Sequence, residues 1–350
     1  GRRTARQASS VTSILNITNG DCAGDGMRAA EIPGDILPWR DILHEGPVPA
    51  GLPLDELSKV RSRYIAAGGM GDLAEVEQNF AERDDALRRF TDHDEVILWF
   101  EWDLYDQLQL LQILDFMSGY SREYLAETNT RLRIISLAGY LGMLPADAFR
   151  PLFQARVEVT DEMLQLGQRA WEAFRAPSPI GISDIIHGDT TALPFLAGAL
   201  SRHLEEFPSV RNGLSRSESH LLESIARGPV TFSDAFESVA NREERIFCGD
   251  ATVAGYLERL SAVDEPLVVF PSGERITAPR TEEDSAAFRN AQLALTPAGR
   301  AVLQCDRDWI NMGGSDRWLG GVHLAGSDAA WRWDDDAREL RPSNGGAAPE

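Results

Sequence analysis

One knot of chemistry-bearing side chains is Glu101-Trp102-Asp103, with Asp106 and Gln107 just beyond. Together with Asp21, three carboxylates so close in sequence could bind Mg²⁺ or Mn²⁺, which favour carboxylate and water oxygens. They could equally hold ribose hydroxyls, or keep one carboxyl protonated through mutual repulsion. The plainer reading is that Asp103 caps a helix whose positive end the other acids favour. Zinc has less support, because no His or Cys pairs recur at ligand spacing. The densest knot is Trp39-Arg40-Asp41 with His44-Glu45-Gly46-Pro47. Arg40 could grip a phosphate or carboxylate in bidentate fashion, and His44 could move a proton near neutral pH. Its plainer reading is a loop held by an Arg40–Asp41 or Arg40–Glu45 pair, with His44 serving structure. The third is Asn19-Gly20-Asp21, followed from Cys22 by a helix start whose free N–H groups suit an anion. There Asp21 could simply cap the helix.

Each knot directly follows a short apolar run that reads as a strand: 14–18, 34–38 and 96–100. In a parallel α/β sheet such strand ends lie side by side and share one crevice. The pattern therefore predicts that Asp21, His44, Asp103 and Asp106 line one pocket. Asp21, His44 and Asp103 are the candidate catalytic groups. Asn19, Gly20, Arg40, Asp41, Glu45, Glu101, Asp106 and Gln107 are the candidate ligand-binding groups. Gly20, Gly24 and Gly26 do not make the G-x-G-x-x-G of a dinucleotide site. Asn-Gly-Asp-Cys22 resembles the Gly-Asp-Ser block of SGNH-type hydrolases, and Asp184 and His187 supply a D-x-x-H. No Asn-containing oxyanion block lies between them, and isolated cysteines are mostly buried, so Cys22 is not taken as a nucleophile.

From residue 11 to 175 strands and helices alternate, which predicts a mostly parallel sheet flanked by helices. A third strand of this kind spans 132–137. Leu54–Ala67 and Asp72–Phe90 carry charges at helical spacing, the second largely solvent-facing. Leu104–Met117 is apolar over most of its circumference, a buried helix with a polar start. Residues 176–210 read as a linker and a connecting helix, Thr191–Glu206. Within 211–306, Ser215–Arg227, Thr231–Ala240 and Asp250–Ala262 read as helices. A strand at 267–270, an acidic loop through Ser285, a strand at 292–295 and a helix at 300–303 follow. That is the order of a winged-helix module. Residues 307–334 form a Trp/Gly-rich closing segment. Residues 1–10 and 335–350 read as a disordered leader and tail.

Composition limits the partners. Of 350 residues, 43% are hydrophobic and 25% charged, ordinary for a globular chain, but the net charge is −21. Such a surface repels phosphate backbones and anionic membranes. Asp250, Glu258, Glu274, Glu282, Glu283 and Asp284 make the third helix and wing acidic, so the winged-helix-like part is expected not to bind DNA appreciably. It is expected to pack on the first domain or receive a protein partner. No secretory signal or membrane-spanning run is present, and Cys22, Cys248 and Cys305 have no paired spacing. A cytoplasmic protein with free thiols is the expectation.

Together, Asn19-Gly20-Asp21, the stretch Trp39 to Pro47 and the stretch Leu98 to Leu110 resemble the bacterial domain-of-unknown-function 1835 family. Arg211 to Ser215, Arg317 to Gly321 and Trp331 to Asp334 resemble its longer members, so the likeness spans most of the chain. The resemblance implies a soluble bacterial protein and carries over no reaction. The residues themselves point to an α/β enzyme, a hydrolase or transferase, acting on a small anionic ligand such as a nucleotide or phosphorylated metabolite. The rival reading is a non-catalytic, ligand-sensing regulator whose winged-helix-like part contacts a protein or, less readily, DNA.

Overall fold

The computed structural model describes residues 12–228 and 230–343; the leader expected at 1–10 lies outside them. The first region contains β1 (Ile14–Thr18), α1 (Asp21–Ala29), β2 (Asp35–Pro38), β3 (Gly46–Pro47), α2 (Leu54–Ala67) and α3 (Leu73–Arg88). It continues through β4 (Glu95–Glu101), α4 (Leu104–Ser118), α5 (Arg122–Thr128), β5 (Arg131–Leu137), α6 (Ala146–Gln154), β6 (Val157–Glu158) and α7 (Asp161–Arg175). Its main sheet has the order β2-β1-β4-β5-β6, parallel except for β6. This is the largely parallel, helix-flanked sheet that the β/α alternation predicts.

Strand periodicity divides the core. Along β4, Val96, Leu98 and Phe100 face one cluster with α4 and α7, while Ile97 and Trp99 face the other with Met27 of α1 and Phe149 of α6. Covered on both faces, β4 is buried from end to end, and α4 is packed around most of its circumference.

Residues 176–210, expected as a linker and a connecting helix, contain two helices. They form α8 (Ile180–His187) and α9 (Leu196–Leu204), and Ile182, Leu196, Leu200 and Leu204 enter the first core. The helix expected from Thr191 starts only at Leu196. Pro194 biases Leu193 away from helical backbone and leaves turns before it.

A more helical region follows: α10 (Arg216–Ala226), β7 (Val230–Thr231), α11 (Phe232–Ala240), α12 (Asp250–Ser261), β8 (Val268–Val269), α13 (Glu282–Phe288), β9 (Gln292–Leu295) and α14 (Pro297–Leu303). Ser215 with Glu218 and Thr231 with Asp234 make capping boxes that set the starts of α10 and α11. β9 pairs antiparallel with both β7 and β8, and these elements bury a core of their own. The loop expected through Ser285 contains α13, started by the Thr281 cap. α12 also rests on the first region: Tyr256 donates to Glu45 Oε1 at 2.8 Å, and Arg259 lies 3.8 Å from Glu45 Oε2.

The chain then returns to its beginning. β10 (Asp316–Gly320) pairs antiparallel with β11 (Val322–Ala325) and parallel with β3. Gly320 and Gly321 permit this approach, since a Cβ at either would lie within 2.3 Å of a carbonyl oxygen at the end of α7. Residues 335–343, expected to begin a disordered tail, instead contain β13 (Glu339–Pro342), hydrogen-bonded to β12 (Trp331–Asp334). The rest of that tail, 344–350, lies outside the described residues. Leu319, Val322, Trp331 and Trp333 all belong to the first core. Among the described residues no helix is long and apolar enough to cross a membrane.

Candidate functional site

The ends of β1, β4 and β5 converge on three buried carboxylates. Glu101 closes β4. Asp103 caps α4, its Oδ1 accepting from the Asp106 N–H at 3.2 Å. Asp106 Oδ2 accepts from the Glu101 N–H at 2.6 Å, and its Oδ1 accepts from Asn19 Nδ2 at 2.8 Å. Glu101 Oε1 accepts from the Leu141 N–H, just past β5, at 2.6 Å. Gln107 Nε2 donates to the Glu101 carbonyl at 2.6 Å and fixes the strand end. One oxygen from each of Glu101, Asp103 and Asp106 lies within 4.8 Å of the others. All three residues are at most 5% exposed.

Burial and mutual repulsion set their chemistry. Desolvation, then the charge of Glu101, pushes the Asp103 carboxyl up to about 7. Desolvation, then Asp103 and Glu101, raises Asp106 well above the carboxylate range. Burial also raises Glu101, opposed by the Leu141 N–H. Near neutral pH the cluster therefore retains protons that a divalent cation would displace.

The site is covered from the helical region. In the loop between α11 and α12, Arg245 Nη1 donates to the Trp102 carbonyl at 2.9 Å, and the Ile246 N–H donates to Tyr140 Oη at 2.6 Å. Phe247 is buried in the first core. The sequence reading missed this loop. Nothing local in residues 241–249 marks it, since its partners at the site, Trp102 and Tyr140, lie more than a hundred residues away.

Asn19, Glu101, Asp103, Asp106 and Gln107 thus come together through these bonds, which none of the remaining candidates joins. Gly20, not Asp21, is the N-cap of α1; its backbone is extended and no side chain caps the helix. Arg40 pairs with neither Asp41 nor Glu45. Its Nε and Nη2 donate to Asp21 at 2.8 and 2.6 Å, with both side chains half exposed. That bond holds the Asp21 carboxyl below its ordinary value. Asp41 is fully buried against Arg61, whose Nη2 donates to Oδ1 at 2.8 Å. Glu45 is held by Tyr256 and Arg317.

His44 sits between the rings of Phe247 and Tyr105, and neither ring nitrogen has a hydrogen-bond partner among the described residues. Desolvation pushes it down to about 3, so it is neutral at pH 7 rather than titrating there. Its position gives no support to the proton transfer that its charged sequence neighbours suggest. Cys22 is exposed, contrary to the expectation for an isolated cysteine. Neither the family models nor the curated proteins compared with this chain match it.

Proposed function

We propose that the strand-end site binds a divalent cation, Mg²⁺ or Mn²⁺, through Glu101, Asp103 and Asp106, and that the protein is a hydrolase or transferase acting on a small anionic ligand there. A nucleotide or phosphorylated metabolite is the proposed ligand class. The observation that carries this reading is the approach of the three carboxylate oxygens to within 4.8 Å. Hard divalent cations prefer such oxygen donors. Asn19 orients Asp106, the Leu141 N–H orients Glu101, and Gln107 holds the backbone between them. A bound cation would supply Lewis-acid polarisation of a phosphoryl oxygen. The likeness to the domain-of-unknown-function 1835 family and a reducing, cytoplasmic setting belong to the same proposal; Cys22, Cys248 and Cys305 are all free.

Calorimetric titration of the full chain with MnCl₂ and MgCl₂, in two buffers of different ionisation enthalpy, tests the cation site. Saturable binding with proton release at pH 7 is expected, and Asp103→Asn should abolish it. Absence of saturable heat at millimolar metal would remove the reading. A turnover screen of nucleotides and sugar phosphates with Mn²⁺ then tests the enzyme assignment.

A second reading has one specific observation in its favour. The order α10-β7-α11-α12-β8-α13-β9, with β9 between β7 and β8, resembles that of a winged helix with an extra helix, α13, between the last two strands. A regulator would use that module to contact a protein rather than DNA. Tyr256 and Arg259 of α12 are engaged by Glu45, and the acids of α13 oppose phosphates. Tight, salt-sensitive binding of duplex DNA to the full chain would overturn the exclusion of DNA.

A further inference from the structure

A cavity of about 330 Å³ opens between α9, the start of α10 and the α11–α12 loop. Its lining carries the side chains of Arg202, Arg216, Arg245 and Arg338 against three glutamates, a surplus of one positive charge in a chain of net charge −21. The glutamates are already committed. Arg202 Nη2 pairs with Glu243 at 2.7 Å, Arg216 with Glu205 at 2.6 Å and with Glu244 at 2.8 Å, and Arg338 with Glu205 at 3.2 Å.

Arg245 is the exception. Among the described residues no carboxylate pairs with it; Nη1 donates to the Trp102 and Phe195 carbonyls at 2.9 and 3.3 Å. Its guanidinium carbon lies 5.0 Å from the Trp102 ring centroid and 5.5 Å from that of Phe195. Two carbonyls and two ring faces hold the fork in place without neutralising it. Gly198 of α9 makes the room, because a Cβ there would lie 3.0 Å from Arg245 Nη1 and 3.3 Å from Nη2. A glycine within a helix is less favourable than alanine, so its presence needs a packing reason. Seating this guanidinium supplies one.

We infer that this cavity is an anion site: Arg245, seated against Gly198 and unpaired, takes the phosphate group of a small ligand. The neighbouring ion pairs hold the other arginines in place around it. A guanidinium recognises such an oxyanion through paired N–H donors. The site does not require the strand-end carboxylates to bind metal.

The test is calorimetric titration of the full chain with inorganic phosphate, against sodium chloride at matched ionic strength and without divalent metal. Saturable phosphate binding is expected. Arg245→Gln should weaken it at least tenfold, and Gly198→Ala several-fold. Asp103→Asn should leave it unchanged. Circular dichroism checks that each variant is folded, and Gly198→Ala keeps the question open to test if Arg245→Gln is not. No saturable binding by the native chain, or equal response to chloride, would overturn the inference. So would unchanged affinity in folded Arg245→Gln, or in Gly198→Ala if that is the only folded variant. Loss with Asp103→Asn equal to that with Arg245→Gln would place the anion at the strand ends and overturn it too.

Discussion

Two groups of buried acids are treated in opposite ways. At the strand ends, Glu101, Asp103 and Asp106 face one another with no ion pair to a cationic side chain among the described residues, and burial raises all three. At the junction with the helical region, Glu45 and Glu206 share Arg317, and Glu206 is also bonded by Arg202 at 2.8 Å and by Ser217 Oγ at 2.5 Å. Although desolvation opposes it, the charge of Arg202 and Arg317 leaves Glu206 well below its ordinary value. The degree of burial is similar, so the partners decide the outcome. Matched charges hold chain segments together, while the unmatched cluster is left ready for a proton or a metal ion.

Breaking the matched side should have the largest effect. Arg317→Met removes the shared guanidinium and leaves Glu45 and Glu206 buried, so a loss of about 3–5 kcal/mol is expected from urea unfolding at pH 7.

The unmatched side should respond through pH. The folded Asp103 pKa lies at about 7, above its ordinary 3.8. The folded state therefore binds this proton more tightly, and its stabilising contribution, full below about pH 4, is lost as pH rises through about 7. The slope is at most about 1.4 kcal/mol per pH unit for one such group. Asp103→Asn should flatten that limb in urea midpoints taken from pH 4 to 8. Mn²⁺ should restore stability at pH 8 to the native chain and not to the variant.

His44 provides an opposite limb of comparable size. Its pKa falls from 6.5 to about 3 on folding, so the stability it contributes is present above 6.5 and lost as pH falls towards 3. His44→Leu should make acid unfolding shallower and shift neutral stability by no more than about 1 kcal/mol. The smallest effect belongs to Arg40→Ala. Its pair with Asp21 is half exposed on both sides, and loss of about 0.2–1 kcal/mol, reduced further by salt, is expected in thermal unfolding.

The same contrast explains what the sequence made legible. The strand ends were readable because parallel strands bring their C-terminal ends together whatever the loops between them; β1 beside β4 puts Asn19 against Asp106. The knot from Trp39 to Glu45 had the same appearance, but its partners are remote. Trp39 Nε1 donates to Gln112 Oε1 at 2.9 Å, and Gln109 Nε2 donates to the Trp39 and Asp41 carbonyls at 2.9 and 2.8 Å. Arg61 covers Asp41, and Arg317 covers Glu45. No local spacing announces such pairs, so residues bound into the interior looked available for a ligand. The tail was misread for the same reason, because an alternation as short as that of β13 gains meaning only beside β12.

The pairing of β3 with β10 bears on the order of events during synthesis. Glu45 meets Arg317 across 272 residues, and the tryptophans of β12 fill the core that β1 and β4 begin. At roughly 5–20 residues per second, the first sheet waits on the order of half a minute for that last layer. A nascent chain stopped near residue 300 should carry an open apolar face where Leu319, Trp331 and Trp333 belong, and should be correspondingly attractive to chaperones.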